Sequence, residues 1–350
     1  MIAVALVVSI VGITSFIGTR CYGSAPAASP AASPPGVDGY HRSEAFTFLT
    51  LPEWFIVFSA DEYAGFVRRQ SPSEFPFLRS AAHYWTYYGA VCDATHDSYA
   101  FETGYHVMLG VIGLSQTAEY AFKALYEGSI GRLSSWLFTH DSAEDRFAAS
   151  LAAEYGAFMH ETPWYRFPFI ARLRTLWAEV PLWGPHPGRK WERRVALTAE
   201  LAFKGSYGWV MGLGSQAAYG VEDLTTYARV TGASSAAVQA AGGRILSGGE
   251  GGAVVALPRY ERFTPAALRL LDGGARFSDV AGNDEILVTV LAGADMVFDS
   301  IPGASVVARQ PLPTDASRNR VALRVAVTEL GDAVKRLTGL GASMEHLYDY

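Results

Sequence analysis

The chain has 350 residues, a formal net charge of −6, and 18% charged residues against 50% hydrophobic ones. The acidic balance, and the lack of an RNA- or DNA-binding motif, argue against a nucleic acid as partner. The chain has two cysteines, Cys21 and Cys92, which are too few for a disulfide framework or a zinc-type cluster. A single disulfide bond between them is compatible with this count.

The amino-terminal segment carries no charged side chain before Arg20. About 20 apolar residues are the length that crosses a bilayer. No basic residue precedes this run and no small-x-small site ends it, which argues against cleavage as a signal peptide. The sequence therefore predicts a transmembrane anchor over residues 1–20, with a cleaved signal or a buried helix as the alternatives.

Residues 21–42 form a linker rich in Ala, Pro and Ser. Such a segment cannot bury enough apolar surface to offset the entropy of ordering, so we expect an extended tether. A tether of this kind favours a bacterial-type inner membrane anchor with the body on the outer or periplasmic side. The orientation in the membrane is left open, because no basic residue precedes the apolar run.

Residues 43–222 are predicted to form a helical, membrane-associated domain. Ser59 is expected to open one helix, and Ser71 and Pro72 the next segment. Residues 139–142 are expected to open a helix that has acidic residues in its first turn. Clusters of Trp, Tyr and Phe along the domain are typical of side chains in the headgroup layer of a membrane. An ordinary aromatic core is the alternative interpretation.

Two segments of this domain match without a gap, residues 117–134 and 198–215, at 9 of 18 positions. In both, a Glu precedes a Lys by four residues, which is the favourable order for a helical ion pair. Duplication of one structural unit would explain the match and would bring the charges to one interface. Convergence of two amphipathic helices is the alternative. The predicted structural charge cluster comprises Glu119, Lys123, Glu200 and Lys204.

Charges in the middle of these helices raise the cost of inserting them into a bilayer. We therefore expect buried or interfacial helices and a single transmembrane segment. A topology with three transmembrane helices is the alternative, because the basic cluster from Arg189 to Arg194 precedes the second matched segment.

Residues 240–350 are predicted to form an α+β domain. The expected strands are 253–257, 276–280, 285–291, 306–310, 321–327 and 343–348, with one helix over 266–271 and another after Thr328. The order of these elements resembles a ferredoxin-like two-layer sandwich. The chain as a whole is thus expected to be α+β.

No catalytic motif is found, so catalytic and cofactor-binding residues are not assigned. The Gly-rich stretches lack the Lys-Ser/Thr of a phosphate-binding loop, and G-x-S-x-G, H-E-x-x-H and C-x-x-C are all missing from the sequence. Histidines on different helices can still converge on a metal ion or haem. The candidates for such a site are His83, His106, His160 and His186.

These features favour a membrane-anchored binding or scaffold protein of the cell envelope. The expected partners are membrane lipid and other envelope proteins. The alternative is an enzyme or redox protein that holds a metal or haem among the histidines of the helical domain.

Overall fold

The computed structural model describes residues 12, 14–23, 37, 39–43, 45–138, 141–215, 224–249 and 252–350. Residues 1–11 and 13 of the predicted anchor, and 24–36 and 38 of the predicted linker, lie outside this set. Within it, no helix combines the length and the apolar composition needed to cross a membrane. The described end of the predicted anchor, Ile17–Cys21, is a π-helical turn.

The protein is α+β, as its sequence predicts. A π-helical turn, Glu127–Gly131, joins two of the α-helices, and 3-10 turns at Pro72–Glu74 and Trp164–Arg166 each precede another. The α-helices are α1 (Ala45–Val67), α2 (Phe77–Thr95), α3 (Thr103–Tyr126), α4 (Arg132–Phe138), α5 (Ala143–Glu161), α6 (Phe169–Glu179), α7 (Pro187–Ser215), α8 (Ser235–Ala240), α9 (Phe263–Asp272) and α10 (Leu330–Gly339).

The strands form two antiparallel sheets of four. Their order is β2-β3-β1-β4 in the first sheet and β6-β7-β5-β8 in the second, so the two orders correspond strand for strand. A helix leads into the last strand of each sheet, α9 into β4 and α10 into β8. The strands are β1 (Thr225–Thr231), β2 (Arg244–Gly249), β3 (Gly252–Pro258), β4 (Arg276–Val280), β5 (Glu285–Gly293), β6 (Ala304–Leu312), β7 (Asp315–Ala326) and β8 (Ser343–Tyr348).

The predicted strands and helices beyond residue 253 agree with β3 to β8, α9 and α10, and β4 and β8 have the predicted bounds. β1 and most of α8 precede residue 240, where the domain was expected to begin. In β1, Thr226, Ala228 and Val230 are buried and alternate with more accessible residues, which is the pattern of a strand with one buried face.

The predicted helix start at Ser59 is wrong, because α1 runs without interruption from Ala45 to Val67. Ser59 is buried, and its hydroxyl lies 2.9 Å from that of Ser80 and 2.6 Å from that of Tyr120. A serine that hydrogen-bonds inside the core is not available to cap a helix. The start predicted at residues 71–74 is confirmed, with Ser71 as the cap. The start predicted at residues 139–142 is confirmed at Ser142, which forms a capping box with Asp145.

The chain divides into two compact units. The sheet unit comprises Met1–Glu53, His83–Leu114 and Val221–Tyr350, and the helical unit comprises Trp54–Ala82 and Ser115–Gly220. In the sheet unit, both sheets share one hydrophobic core with α9 and α10. The Thr47 hydroxyl on α1 donates to the Tyr348 carbonyl at 2.8 Å and accepts from the Leu287 amide at 3.0 Å, which joins the start of α1 to the second sheet.

Candidate functional site

The four charged residues of the matched segments meet inside the helical unit. Glu119 and Lys123 lie one turn apart on α3, and Glu200 and Lys204 lie one turn apart on α7. Residues four apart face the same side of a helix, so each helix presents its Glu and its Lys together.

Each lysine contacts both carboxylates, and we call this arrangement the ionic ring. Lys123 Nζ lies 3.0 Å from Glu119 Oε1 and 2.8 Å from Glu200 Oε1. Lys204 Nζ lies 2.9 Å from Glu119 Oε1 and 3.4 Å from Glu200 Oε1. The contacts between helices are shorter than those within a helix, so the ionic ring joins α3 to α7.

The ring brings two carboxylates and two ammonium groups together, and this arrangement favours the charged forms of Glu119, Glu200 and Lys123. The lysine side chains are largely buried, whereas about a third of each glutamate side chain is accessible, 34% for Glu119 and 33% for Glu200. Burial raises the pKa of Glu119, but attraction to Lys204 and Lys123 outweighs burial and lowers this pKa to about 2. Burial lowers the pKa of Lys123, but the two carboxylates outweigh burial and raise it well above its usual value.

An aromatic ring lies beneath each ammonium group. Lys123 Nζ is 5.0 Å from the centroid of the Tyr63 ring, and Lys204 Nζ is 4.7 Å from that of Tyr155. At these distances the ring quadrupole attracts the cation, most strongly where water is excluded. Cation–π contacts therefore add to the ion pairs on both sides of the ring.

The aromatic clusters on the two sides of the ionic ring have matching geometry. Tyr63 and Phe75 meet at 5.1 Å and 89°, while Tyr155 and Phe167 meet at 5.2 Å and 82°. The other contacts match in the same way: Tyr63–Phe77 at 5.7 Å with Tyr155–Phe169 at 5.6 Å, Phe66–Phe75 at 5.4 Å with Phe158–Phe167 at 5.2 Å, and Phe75–Phe77 at 4.8 Å with Phe167–Phe169 at 4.9 Å.

The same local fold builds both clusters, a 3-10 turn followed by Phe-Pro-Phe at the start of a helix. The proline lacks an N–H group, and the phenylalanine before it is extended in both copies. The second phenylalanine amide donates to the carbonyl of the first, at 2.9 Å for Phe77 to Phe75 and 2.8 Å for Phe169 to Phe167.

The match between these two aromatic clusters was not predicted from the sequence, although a signal for it exists. Residues 60–77 align without a gap on 152–169. The identical pairs are Ala60/Ala152, Glu62/Glu154, Tyr63/Tyr155, Phe66/Phe158, Phe75/Phe167, Pro76/Pro168 and Phe77/Phe169. A comparison extended beyond the helix that carries each Glu and Lys would have found this second match.

The cavity beside the ionic ring is small, with a volume of about 70 Å³. A space of that size admits a few water molecules and is well below the size of a typical small-molecule site. A carboxyl with a pKa near 2 is ionised at neutral pH, so Glu119 is not suited to general acid–base catalysis. The ring is therefore best described as a structural junction.

A second buried charge network lies in the helical unit, at the amino-terminal end of α7. It uses the basic cluster that the sequence analysis had connected with membrane topology. Arg193 contacts Glu127 at 2.8 Å, and Arg194 contacts Glu144 at 2.6 Å. The remaining ion pairs are Arg189–Asp145 at 2.7 Å, Arg189–Glu192 at 3.0 Å, Lys190–Glu144 at 2.9 Å and Arg193–Glu192 at 2.7 Å. The four cations thus have carboxylate partners inside the protein.

The four candidate histidines lie in different surroundings. His106 is buried in the sheet unit, where its Nδ1 lies 2.9 Å from the Tyr88 hydroxyl and burial lowers its pKa to about 4. His83 also belongs to the sheet unit, and its carbonyl accepts from Gln310. In the helical unit, His160 Nε2 lies 2.6 Å from Asp61, and His186 is exposed with a positive φ.

Only one group of three potential metal ligands occurs among the described residues, and it contains one of these histidines. The group is Cys21, Cys92 and His106 in the sheet unit. The two cysteines form a disulfide there, which leaves neither sulfur as a thiolate ligand. The metal or haem hypothesis gains no support from this arrangement and stays a hypothesis.

The helical unit exposes large apolar side chains on α3, α4 and α7. Trp136 on α4 is 80% exposed, and the matched residues Phe122 on α3 and Phe203 on α7 are 74% and 70% exposed. We call the exposed apolar side chains of this region the outer apolar surface: Phe122, Leu125, Ile130, Leu133, Trp136, Leu137, Phe138, Val195, Phe203, Trp209 and Val210.

Comparison of the chain with protein-family models, with curated proteins and with solved structures finds no match. The functional inference therefore comes from the residues and their geometry.

Proposed function

We propose that this protein is a membrane-anchored binding or scaffold protein of the cell envelope. In this proposal residues 1–20 anchor the chain, and the outer apolar surface of the helical unit lies against lipid. The single observation that carries the proposal is the inverted polarity of α7, whose charged side chains point inward while its exposed side chains are almost entirely apolar.

The inversion of α7 is nearly complete. From Arg189 to Gly212 every charged side chain belongs to the ionic ring or to the second charge network. The exposed positions in that range are Val195, Ala199, Phe203, Ser206, Trp209 and Val210. A helix at a water-facing surface has the opposite pattern, with its charges outside. The pattern of α7, with apolar side chains outside and charges inside, is favoured where the helix is surrounded by hydrocarbon.

The helices beside α7 support the same arrangement. Between Ser115 and Phe138, Arg132 is the one exposed charged residue of the described chain. The two tryptophans of the outer apolar surface, Trp136 and Trp209, have an apolar body and a polar N–H group, which suits the headgroup layer. Exposed apolar residues of this number exceed what a water-facing surface normally carries, and they mark a contact with lipid or with a partner.

The Cys21–Cys92 disulfide supports a body on the outer or periplasmic side of the membrane. Both cysteines are buried and they are the only two in the chain. Disulfides persist in oxidising compartments and are rare where cytosolic reductants reach them. The bond also joins the end of the proposed anchor to α2 in the sheet unit.

We also infer that the helical unit contains one duplicated element and that each sheet has a ferredoxin-like arrangement. The matched Phe-Pro-Phe turns and the equal aromatic distances support the duplication. In the first sheet the succession β1-α8-β2-β3-α9-β4 and the antiparallel order support the second inference. In the second sheet a loop replaces the first helix.

Quenching of tryptophan fluorescence by brominated acyl chains tests the proposed lipid contact. The full chain is reconstituted into phosphatidylcholine vesicles with and without bromine on the acyl chains. We expect quenching that weakens in W136F and in W209F and is unchanged in W54F, because Trp54 is buried in the helical unit. Absence of quenching, or equal quenching in all three variants, would mean that neither Trp136 nor Trp209 meets lipid, and it would overturn the proposal.

A further inference from the structure

An open cleft lies on the helical unit between the turn after α1 and the start of α4. Its volume is about 650 Å³, far larger than the cavity beside the ionic ring. Residues from Arg69 to Glu74 line one side, and residues from Gly128 to Trp136 line the other. Such a volume is in the range of small-molecule sites.

The cleft carries charges of both signs that are not paired with each other. Arg69 and Arg132 line it together with Glu74. All three side chains are exposed, and among the described residues neither guanidinium lies within ion-pair distance of the Glu74 carboxylate. A guanidinium is a planar donor that suits phosphate oxygens, and a carboxylate accepts from an ammonium group.

Three serine hydroxyls in the cleft form a connected group. The Ser71 hydroxyl lies 2.9 Å from that of Ser73 and 2.8 Å from that of Ser135. Three hydroxyls have three protons, and the two hydrogen bonds among them use two. One O–H donor of the group is therefore available to a ligand in the cleft.

The second wall of the cleft continues into the outer apolar surface. Leu133 and Trp136 belong both to the cleft lining and to that surface. A ligand in the cleft would thus meet Arg69 and Glu74 on the first wall, and Arg132, Leu133 and Trp136 on the second. The serine hydroxyls belong to both walls.

We propose that this cleft binds the headgroup of an aminophospholipid, with phosphate and a primary ammonium. Arg69 and Arg132 bind the phosphate, Glu74 accepts from the ammonium, and the acyl chains leave along Leu133 and Trp136. The Glu74 carboxylate selects between headgroups. It would repel a purely anionic headgroup, and it cannot accept a hydrogen bond from choline, whose nitrogen has no N–H group. This inference rests on the proposed lipid contact for the source of the ligand.

Calorimetric titration of the full chain in an uncharged detergent tests the proposal. The probes are dihexanoyl phosphatidylethanolamine, phosphatidylglycerol and phosphatidylcholine, and soluble glycerophosphoethanolamine. We expect phosphatidylethanolamine to bind best and to lose about tenfold in affinity in R69Q and in R132Q, as for one lost charge-assisted hydrogen bond. E74Q should weaken phosphatidylethanolamine but not phosphatidylglycerol. R79Q, with the same charge change at an exposed arginine outside the cleft, should bind normally.

Three results would overturn the site: equal affinity in R69Q, R132Q and R79Q, equal binding of all three lipids, or binding of the soluble headgroup as tight as that of the lipid. Equal thermal melting of the variants shows that they fold. The two proposals fail separately. If bromolipids quench the tryptophans but lipid binding in detergent does not depend on Arg69 or Arg132, the cleft site is overturned and the lipid contact is kept. If lipid binding in detergent depends on the two arginines but bromolipids do not quench the tryptophans in vesicles, the lipid contact is overturned and the cleft site is kept.

Discussion

Lys123 and Lys204 have equivalent surroundings on two different helices. Each ammonium contacts both Glu119 and Glu200, and each lies about 5 Å from the centroid of a tyrosine ring, at 5.0 Å and 4.7 Å. Each tyrosine packs in turn on a Phe-Pro-Phe turn of the same geometry. The ionic ring is thus the point at which two like elements join.

A double-mutant cycle with E119Q and K204M measures the strength of this junction. We expect a coupling free energy of about 1 to 3 kcal/mol in urea unfolding, because removal of one partner leaves an unpaired charge in a largely buried place. The control is the exposed pair Arg146–Asp141, whose side chains are 64% and 81% accessible and should couple by less than about 1 kcal/mol. Equal coupling in the two cycles would show that the ring is an ordinary surface pair.

The stabilisation from the ring should disappear in acid. The pKa of Glu119 falls from its ordinary 4.5 to about 2 in the folded protein, and the pKa of Glu200 is lowered as well. A lowered carboxyl pKa gives stability that is complete above the ordinary pKa and is lost as the pH falls toward the folded value. The difference in unfolding free energy between wild type and E119Q should therefore roughly halve between pH 6 and pH 3. A difference that is constant over this range would contradict the lowered pKa.

The two Phe-Pro-Phe turns should contribute equally to the free energy of unfolding. Phe75 and Phe167 are both buried, so F75A and F167A should each lower the free energy of unfolding by about 3 to 5 kcal/mol and agree within about 1 kcal/mol. F203A provides the control in detergent, because this side chain is exposed. A large loss in one variant and a small loss in the other would show that the two turns are not equivalent.

The protein should contain no free thiol before reduction. Both cysteines belong to the bond between Cys21 and Cys92. Thiol titration of the denatured, unreduced chain is expected to give no reaction. Replacement of both cysteines by serine should lower the free energy of unfolding by about 2 to 4 kcal/mol, because the bond closes a long loop. Two reactive thiols in the denatured chain would contradict the disulfide.

The sequence predicts elements that depend on local pattern better than contacts between distant segments. The four residues of the ionic ring were selected from an ungapped match, because the spacing of Glu and Lys on a helix is a local property. Arg193 and Arg194 also pair with Glu127 and Glu144, and nothing local in the sequence relates residues so far apart. Pairing of the two cysteines is long-range in the same way.

Local rules also fail where tertiary contacts override them. Ser59 has the sequence context of a helix cap, yet its hydroxyl bonds inside the core and α1 continues through it. The start of the first sheet was missed because the Ala- and Gly-rich segment around α8 lacks the apolar periodicity of an amphipathic element. The cleft at Arg69 and Arg132 depends on a turn and a helix brought together by folding, which composition does not reveal.

The most direct test of the proposed lipid contact is the accessibility of spin labels at Phe122 and Phe203. Because both native cysteines are bonded, cysteines introduced by F122C and F203C can be labelled selectively with a nitroxide, and R79C provides the water-facing control. In vesicles we expect both phenylalanine positions to collide more with oxygen than with a water-soluble nickel complex, and the control position to show the reverse. If the nickel complex collides more at both phenylalanine positions, the outer apolar surface does not lie in lipid.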